Sequence, residues 1–304
     1  MNKRVAIGIA IMAMAATAVQ AATFTTTTGG DWMTPGTWNS TTTPGATVGG
    51  ADLARINNGS TVTLAGSVAQ PLGNVQVGQS GNGNLILNSG AFLGMLSAST
   101  LTIGQVGVGT FTMNGGTVTG KTFTISQVAG AAGSSAAIHS GATMTLEGSA
   151  TIGKFGAGSM TMDGGSISAG RLLVGDQTAA FVGTLAFTGG TITLSGSGTN
   201  GLAINTAAGS QMTMEGNAQL IMAGNQYSVI NDYVTLGDLV WANGGTIAGV
   251  GDHTWANGGN YLHTAYDSGA NQTTIWVNTI PEPATVGMLG LGSLIVLLVR
   301  RMRG

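Results

Sequence analysis

Three polar side chains in the middle of the chain have the types needed for acid–base chemistry. Asp163 and Glu215 are carboxylic acids, and His139 could act as a base beside them. A pair of carboxylates can cleave a glycosidic bond when one protonates the leaving group and the other activates water. The chemistry that these residues would support is therefore glycan cleavage, provided that the fold brings them together.

These residues occupy equivalent positions in an internal repeat. An apolar residue before a turn recurs every 22 to 30 residues, and a second apolar residue follows it 10 or 13 positions later. The first column comprises Val77, Ile103, Ile125, Ile152, Val174 and Ile204, and the second column comprises Leu87, Met113, Ile138, Met162, Phe187 and Met214. Such constant offsets indicate stacked copies of one structural unit.

Each repeat unit contains three short segments that alternate apolar and polar residues and are separated by Gly-rich turns. A triplet of strands cannot bury its apolar face alone, but stacked triplets can pair in parallel about 4.8 Å apart. The sequence therefore predicts an all-β fold, a parallel β-solenoid of about 7–9 coils with aromatic end caps. The predicted segments are a signal peptide at 1–21, an N-terminal cap at 22–55, the solenoid at 56–224, a C-terminal cap at 225–279 and a sorting signal with a transmembrane helix at 280–304.

The two columns that follow the first apolar column test this alignment. The corner residues after the first column are Gly78, Gly104, Ser126, Gly153, Gly175 and Asn205, which fits a positive φ with Ser126 as the exception. One position further, Gln79, Gln105 and Gln127 predict an amide ladder. Lys154 and Asp176 continue that column, so we expect them to be surface neighbours.

The residues after the second column are Asn88, Asn114, His139, Asp163, Thr188 and Glu215. Asp163 and Glu215 would be two coils apart, roughly 9.6 Å, near the upper edge of the about 6.5–9.5 Å typical of an inverting glycosidase. Asn, Asp and Thr also begin turns by bonding their own backbone. We favour this structural role and predict no enzyme, with a glycan-active lyase or hydrolase as the alternative. The three histidines show no metal-ligand spacing, so we predict neither metal nor cofactor.

The aromatic residues divide between the two ends of the repeat. Trp32 and Trp38 precede it, whereas the other tryptophans and every tyrosine follow it. Solenoid ends expose an apolar cross-section, so we expect both groups to form caps. Aromatic rings also stack on sugars, and the residues available for such contact are Trp241, Trp255, Tyr261 and Trp276. A non-catalytic carbohydrate-binding module therefore remains a third hypothesis.

Charge excludes nucleic acid as a partner. Residues 22–283 contain only four cations, Arg55, Lys121, Lys154 and Arg171, against 11 acids, which gives a net charge of about −7. Phosphate binding requires clustered cations. The chain has no cysteine, so an exported protein of this sequence must be stable without disulfides.

The N-terminus has the features of a secretory signal peptide. Lys3 and Arg4 precede an apolar run that ends in Val19-Gln20-Ala21, the small-residue pattern of a cleavage site. We predict cleavage after Ala21, with Ala22 as the near alternative, and an uncleaved N-terminal membrane anchor as the competing interpretation.

The C-terminus combines three features. Pro281-Glu282-Pro283 precedes 16 uncharged residues, and Arg300 and Arg301 follow them. A helix of that length spans about 24 Å, which is short for a bilayer core of about 30 Å. The arginines would remain cytoplasmic. A plain, short membrane anchor is the alternative to a processing signal.

This tail resembles the PEP-CTERM sorting signal. The resemblance implies recognition by an exosortase-type membrane enzyme, processing near Pro281-Glu282-Pro283, and a membrane-anchored precursor. It further implies delivery to the surface or extracellular matrix of a Gram-negative bacterium that makes exopolysaccharide. The repeats are more loosely similar to autotransporter-associated β-strand repeats, a likeness that implies no activity. We therefore expect a secreted structural or adhesive protein linked to exopolysaccharide or biofilm, with extracellular polysaccharide as a further partner.

Overall fold

A computed structural model describes residues 21–46, 51–176, 181–244, 251–257 and 259–279. The predicted signal peptide, apart from Ala21, and the predicted sorting signal from residue 280 lie outside these residues. Within the described part, no helix has both the length and the apolar character that a membrane span requires.

Short strands separated by tight turns make up most of the described chain. The strands before residue 126 are β1 (Thr23–Thr25), β2 (Gly30–Asp31), β3 (Leu53–Ile56), β4 (Ser60–Leu64), β5 (Asn74–Val77), β6 (Gly83–Leu87), β7 (Phe92–Gly94), β8 (Thr100–Ile103), β9 (Gly109–Met113), β10 (Gly116–Gly120) and β11 (Thr122–Ile125). The later strands are β12 (Ser134–Ile138), β13 (Ala142–Leu146), β14 (Ser149–Ile152), β15 (Gly158–Ala169), β16 (Arg171–Val174), β17 (Gly183–Leu194), β18 (Leu202–Ile204), β19 (Gln211–Ala223), β20 (Leu239–Gly244), β21 (His253–Asn257), β22 (Asn260–Asp267) and β23 (Gln272–Thr279). Helix α1 (Tyr227–Leu236) lies between β19 and β20, and 3₁₀ turns span Pro35–Thr37, Ala129–Ala131, Gly198–Asn200 and Thr206–Ala208.

The strands stack in parallel as three faces of a coil. The first face consists of β1, β3, β5, β8, β11, β14, β16 and β18, paired in that order. The second face runs through β2, β4, β6, β9 and β12 into the first halves of β15, β17 and β19. The third consists of β7, β10 and β13, followed by the second halves of those three long strands. The predicted parallel β-solenoid is confirmed, with 8 strands on its first face.

Both predicted apolar columns stack in register. In the first column each residue is the direct strand partner of the next, from Val77 opposite Ile103 to Val174 opposite Ile204. The second column is equally continuous, from Leu87 opposite Met113 to Phe187 opposite Met214. All these side chains are buried in one hydrophobic core. The burial of apolar area along these columns is what holds successive coils together.

The columns extend one coil further toward the N-terminus than predicted. Ile56 lies opposite Val77, and Leu64 lies opposite Leu87. Their offset is 8 residues, outside the pattern of 10 or 13, which is why the sequence comparison missed them. Strand β1 also pairs in parallel with β3, so solenoid pairing reaches into the segment predicted as an N-terminal cap.

The prediction of three separate strands per unit is wrong for the last copies. Strands β15, β17 and β19 have 12, 12 and 13 residues and run through the corner between the second and third faces. Register shifts occur at that corner, beside Asp163 and after Phe187. Gly165 and Gly190 have positive φ there, so the backbone bends without interrupting the strand.

The corner after the first column differs from expectation at two residues. Gly78, Gly104 and the later glycines of this column have positive φ, as predicted. Ser126, the expected exception, adopts φ 60 as well, and its hydroxyl donates to the Ala131 carbonyl at 2.7 Å. Asn205 instead has φ −82 and caps a 3₁₀ turn by accepting from the Ala208 N–H.

The predicted glutamine ladder does not form. Within the described residues no hydrogen bond joins the side chains of Gln79, Gln105 and Gln127, and Oε1 of Gln105 is buried without a partner. A 3₁₀ turn follows Gln127 alone of the three, so the loops after them differ in path. An amide contact forms in another column, where Asn114 Nδ2 donates to Asn88 Oδ1 at 3.4 Å.

Candidate functional site

The candidate acid–base column lies at an outer corner of the coil. His139 Nδ1 is 2.8 Å from Asp163 Oδ2, so the predicted contact between neighbouring coils exists. The two side chains are 39% and 56% exposed. Glu215 is directed elsewhere, because its Oε2 accepts from Asn243 Nδ2 at 3.3 Å. The contact is thus an exposed side-chain hydrogen bond whose surroundings do not exclude water, which fits the structural role better than catalysis.

A concave surface of about 570 Å³ lies on the first face, and we call it the groove. Its lining includes Thr100, Lys121, Thr122, Thr124, Gln127, Ser149, Thr151, Lys154, Arg171, Leu173, Asp176 and Asn200. Thr124 and Thr151 alternate with core residues and point outward, yet they are only 4% and 7% exposed. The floor of the groove is therefore a row of covered hydroxyl groups instead of a flat, solvated strand surface.

Charged side chains from three successive coils line this groove. Lys121 precedes β11, Lys154 follows β14 and Arg171 begins β16. Lys154 and Asp176 line the same cavity, in agreement with the prediction that they are surface neighbours. The Lys154 ammonium also lies 5.4 Å from the centre of the Phe155 ring.

The N-terminal tryptophans are packed into the core. Trp32 and Trp38 are 0% and 2% exposed, and their rings meet edge to face at 5.0 Å. Trp38 Nε1 donates to the Trp32 carbonyl at 2.9 Å, and Trp32 Nε1 donates to the Pro44 carbonyl at 3.4 Å. Both rings are positioned as parts of a cap.

Two of the four aromatic residues predicted as sugar contacts are buried. Trp241 lies opposite Met214 at the end of the second column, and Trp276 is stacked against His263 at 5.3 Å. Their exposures are 9% and 6%, which leaves no ring face for a sugar. The interpretation of these two as glycan contacts is therefore wrong, and they pack as cap residues.

Trp255 and Tyr261 are partly exposed, so sugar contact stays a prediction for them. Trp255 stacks on Tyr227, which in turn stacks on His253 with a ring separation of 3.5 Å. A second cavity of about 250 Å³ lies beside these rings and is lined by Asn225, Tyr227, Asp252, His253, Thr264, Tyr266 and Thr273. Within the described residues no group of acidic, histidine or cysteine side chains could hold a metal ion.

Two groups with raised pKa values, Asp238 and Tyr233, belong to the C-terminal cap. Burial raises the pKa of the Asp238 carboxyl, and a hydrogen bond with Thr206 opposes that shift. Burial also raises the pKa of the Tyr233 hydroxyl, which accepts from the Ile204 N–H at 3.2 Å. Both groups lie in or directly after α1, and the charge of Arg171, a groove residue, acts on the Tyr233 hydroxyl by lowering its pKa against the effect of burial.

The groove is not predicted from the sequence. Its cations contribute there to the net charge, and Lys154 is also expected beside Asp176, but each of the three borders a first-face strand in consecutive coils. The detectable signal was this spacing: all four cations between the terminal segments lie within or beside first-face strands.

Comparison with known proteins identifies the C-terminal segment. A family model described as the PEP-CTERM protein-sorting motif matches residues 279–303. No curated protein and no solved structure matches the chain. The motif covers the tail alone, and it indicates that an exosortase sorts the protein to the cell surface.

Proposed function

We propose that this chain, which carries a PEP-CTERM sorting motif, is a non-catalytic structural or adhesive protein of a bacterial surface or extracellular matrix. The signal peptide directs export, the tail halts it in the inner membrane, and processing near Pro281-Glu282-Pro283 releases the mature protein. The observation that carries the proposal is the joining of this motif to an in-register solenoid whose ends are both covered.

A stacked, stiff body is suited to presenting an extended surface. Each coil adds about 4.8 Å of length and one more set of outward-facing positions. Contacts with a long polymer can therefore repeat along the stack, whereas a catalytic site requires converging groups at one point. The described residues fit contacts repeated along a polymer better than groups that converge at one catalytic point.

The alternative function is that of a glycan-active enzyme, and the His139–Asp163 contact favours it. The assay is release of oligosaccharides from a panel of acidic and neutral polysaccharides by the purified protein. We expect no release. Activity that disappears in Asp163→Asn would replace the structural proposal with an enzymatic one.

The sorting step is tested in the native host by replacing Pro281, Glu282 and Pro283 with alanine. We expect the wild-type protein at the surface or in the matrix and the variant retained in the inner-membrane fraction as a precursor. A matched variant, Pro44→Ala, removes a proline from the described cap and should be released normally. Unchanged release of the triple variant would contradict the sorting role of the motif.

A further inference from the structure

We propose that the groove on the first face is a binding site for the carboxylate groups of an acidic polysaccharide. This inference deepens the proposed function, because it rests on a location in which extracellular polysaccharide is present. It names a site, a ligand class and the residues that would bind it.

The distribution of charge points to an anionic ligand. The region between the terminal segments is acidic overall, yet three of its four cations, Lys121, Lys154 and Arg171, line one cavity. Asp176 is the acidic side chain that shares the lining. A local excess of cations in a concave surface attracts anions even when the protein as a whole is negative.

The state of these cations supports the same conclusion. Among the described residues, Lys121, Lys154 and Arg171 take part in no ion pair. The Nε of Arg171 is buried and has no hydrogen-bond partner in the described structure. Lys121 is exposed, and Lys154 and Arg171 are partly exposed, so these side chains remain accessible to an anionic ligand.

The spacing of the cations favours a polymer over a single small anion. Lys121 and Arg171 lie at the starts of β11 and β16, two coils apart, which is roughly 9.6 Å along the stack. Lys154 lies on the opposite rim, at the coil between them. A chain with carboxylates along its length could contact all three, whereas one small carboxylate could not.

The floor of the groove suits a sugar chain. The Thr100 and Thr122 hydroxyls are 2.7 Å apart, and both side chains are partly exposed in the groove lining. Hydroxyl groups can both donate to and accept from the hydroxyls of a polysaccharide. Basic residues with aromatic rings for base stacking would favour nucleic acid instead, and the groove lining contains no aromatic ring.

The test measures binding of the full chain in detergent to polygalacturonate, with neutral dextran and single-stranded DNA as comparison polymers. The variant combines Lys121→Gln, Lys154→Gln and Arg171→Gln, and circular dichroism verifies its fold. We expect polygalacturonate binding that weakens with salt and falls about tenfold or more in the triple variant.

Two controls separate the groove from general charge. Arg55→Gln removes a cation from the same face outside the groove, where Arg55 Nε donates to Gln76 Oε1 at 3.1 Å. Combined Arg300→Gln, Arg301→Gln and Arg303→Gln removes the basic residues of the tail. Both controls should bind like the wild type. An equal loss in either control, no loss in the triple variant, or equal affinity for DNA would overturn the proposal.

The outcome is separable from that of the sorting experiment. Groove-dependent polygalacturonate binding by a protein that stays in the inner membrane would support the site and contradict the proposed location. Correct surface delivery without groove-dependent binding would support the proposed location and contradict the binding site.

Discussion

The N-terminal end of the solenoid is closed by side chains, whereas the C-terminal end is closed by a change of strand direction. Trp32 and Trp38 pack over the first coils as a pair of interlocked rings. At the other end, β23 pairs antiparallel with β19, and β22 and β21 continue this antiparallel sheet. The first closure depends on two residues and the second on many backbone hydrogen bonds, so the ends should differ in their sensitivity to single substitutions.

The middle of the stack provides the reference for this comparison. Met113→Asp should unfold the protein, because an unpaired charge would replace a fully buried second-column side chain. We expect a loss above about 4 kcal/mol, measured by chemical denaturation. Thr112→Asp places the same charge on the outward side of the same strand and should be tolerated. Equal losses in both variants would show that the column does not form the core.

The next largest effect is expected at the N-terminal cap. Trp32→Ala should lower stability by about 3–5 kcal/mol because it leaves a cavity between Trp38 and the core. Hydrogen exchange should accelerate in β1–β4 while β17 and β19 remain protected. Trp241→Ala is the matched change at the other end and should have a smaller effect. A larger loss of stability in Trp241→Ala than in Trp32→Ala would contradict the proposed difference between the two ends.

Asp52 provides a sharper test of the N-terminal closure. Its buried carboxylate accepts from the Ala22 N–H at 3.1 Å and from the Gly45 N–H at 2.9 Å. After cleavage at the predicted site, Ala22 would carry the terminal ammonium group, and this contact would become an ion pair. Asp52→Asn should therefore lower stability by about 1–3 kcal/mol. Asp31 accepts from the Met33 N–H in an exposed turn, so Asp31→Asn should change the stability little. Equal losses of stability in the two variants would show that Asp52 has no special role in the N-terminal closure.

The smallest effect is expected in the groove. Lys154→Ala should change stability by no more than about 1 kcal/mol, because the side chain is partly exposed and its charge is screened. Thermal melting is the measurement. A large fall in the melting temperature would show that Lys154 stabilises the fold, which would weaken its assignment to ligand binding.

The repeat could be predicted because stacking imposes a strict rule on sequence. Ile103 and Ile125 had to align if successive coils share a core, so constant offsets were enough to predict register. Ser126 shows the limit of that logic, because its positive φ is supported by a hydroxyl contact with Ala131 that depends on the local loop. The glutamine ladder failed for a related reason, since equivalent positions diverge where loop lengths differ.

The caps and the groove were harder to predict because they are not repetitive. Helix α1 places Ile230 and Tyr233 toward the core, at a spacing typical of an amphipathic helix, whereas the prediction of the fold rests on strand periodicity. The groove combines the end of one strand with the beginnings of two others. Its covered threonines follow from the shape of the assembled coils, which no single segment encodes.

Intact mass spectrometry of the protein recovered from the surface or matrix of the native host shows whether both terminal segments are removed. We expect a chain that begins at Ala22 and ends near Pro283, because both terminal segments serve export and sorting alone. A protein that retains Arg303 and Gly304 and remains in the inner membrane would contradict this expectation and leave the tail as a plain anchor.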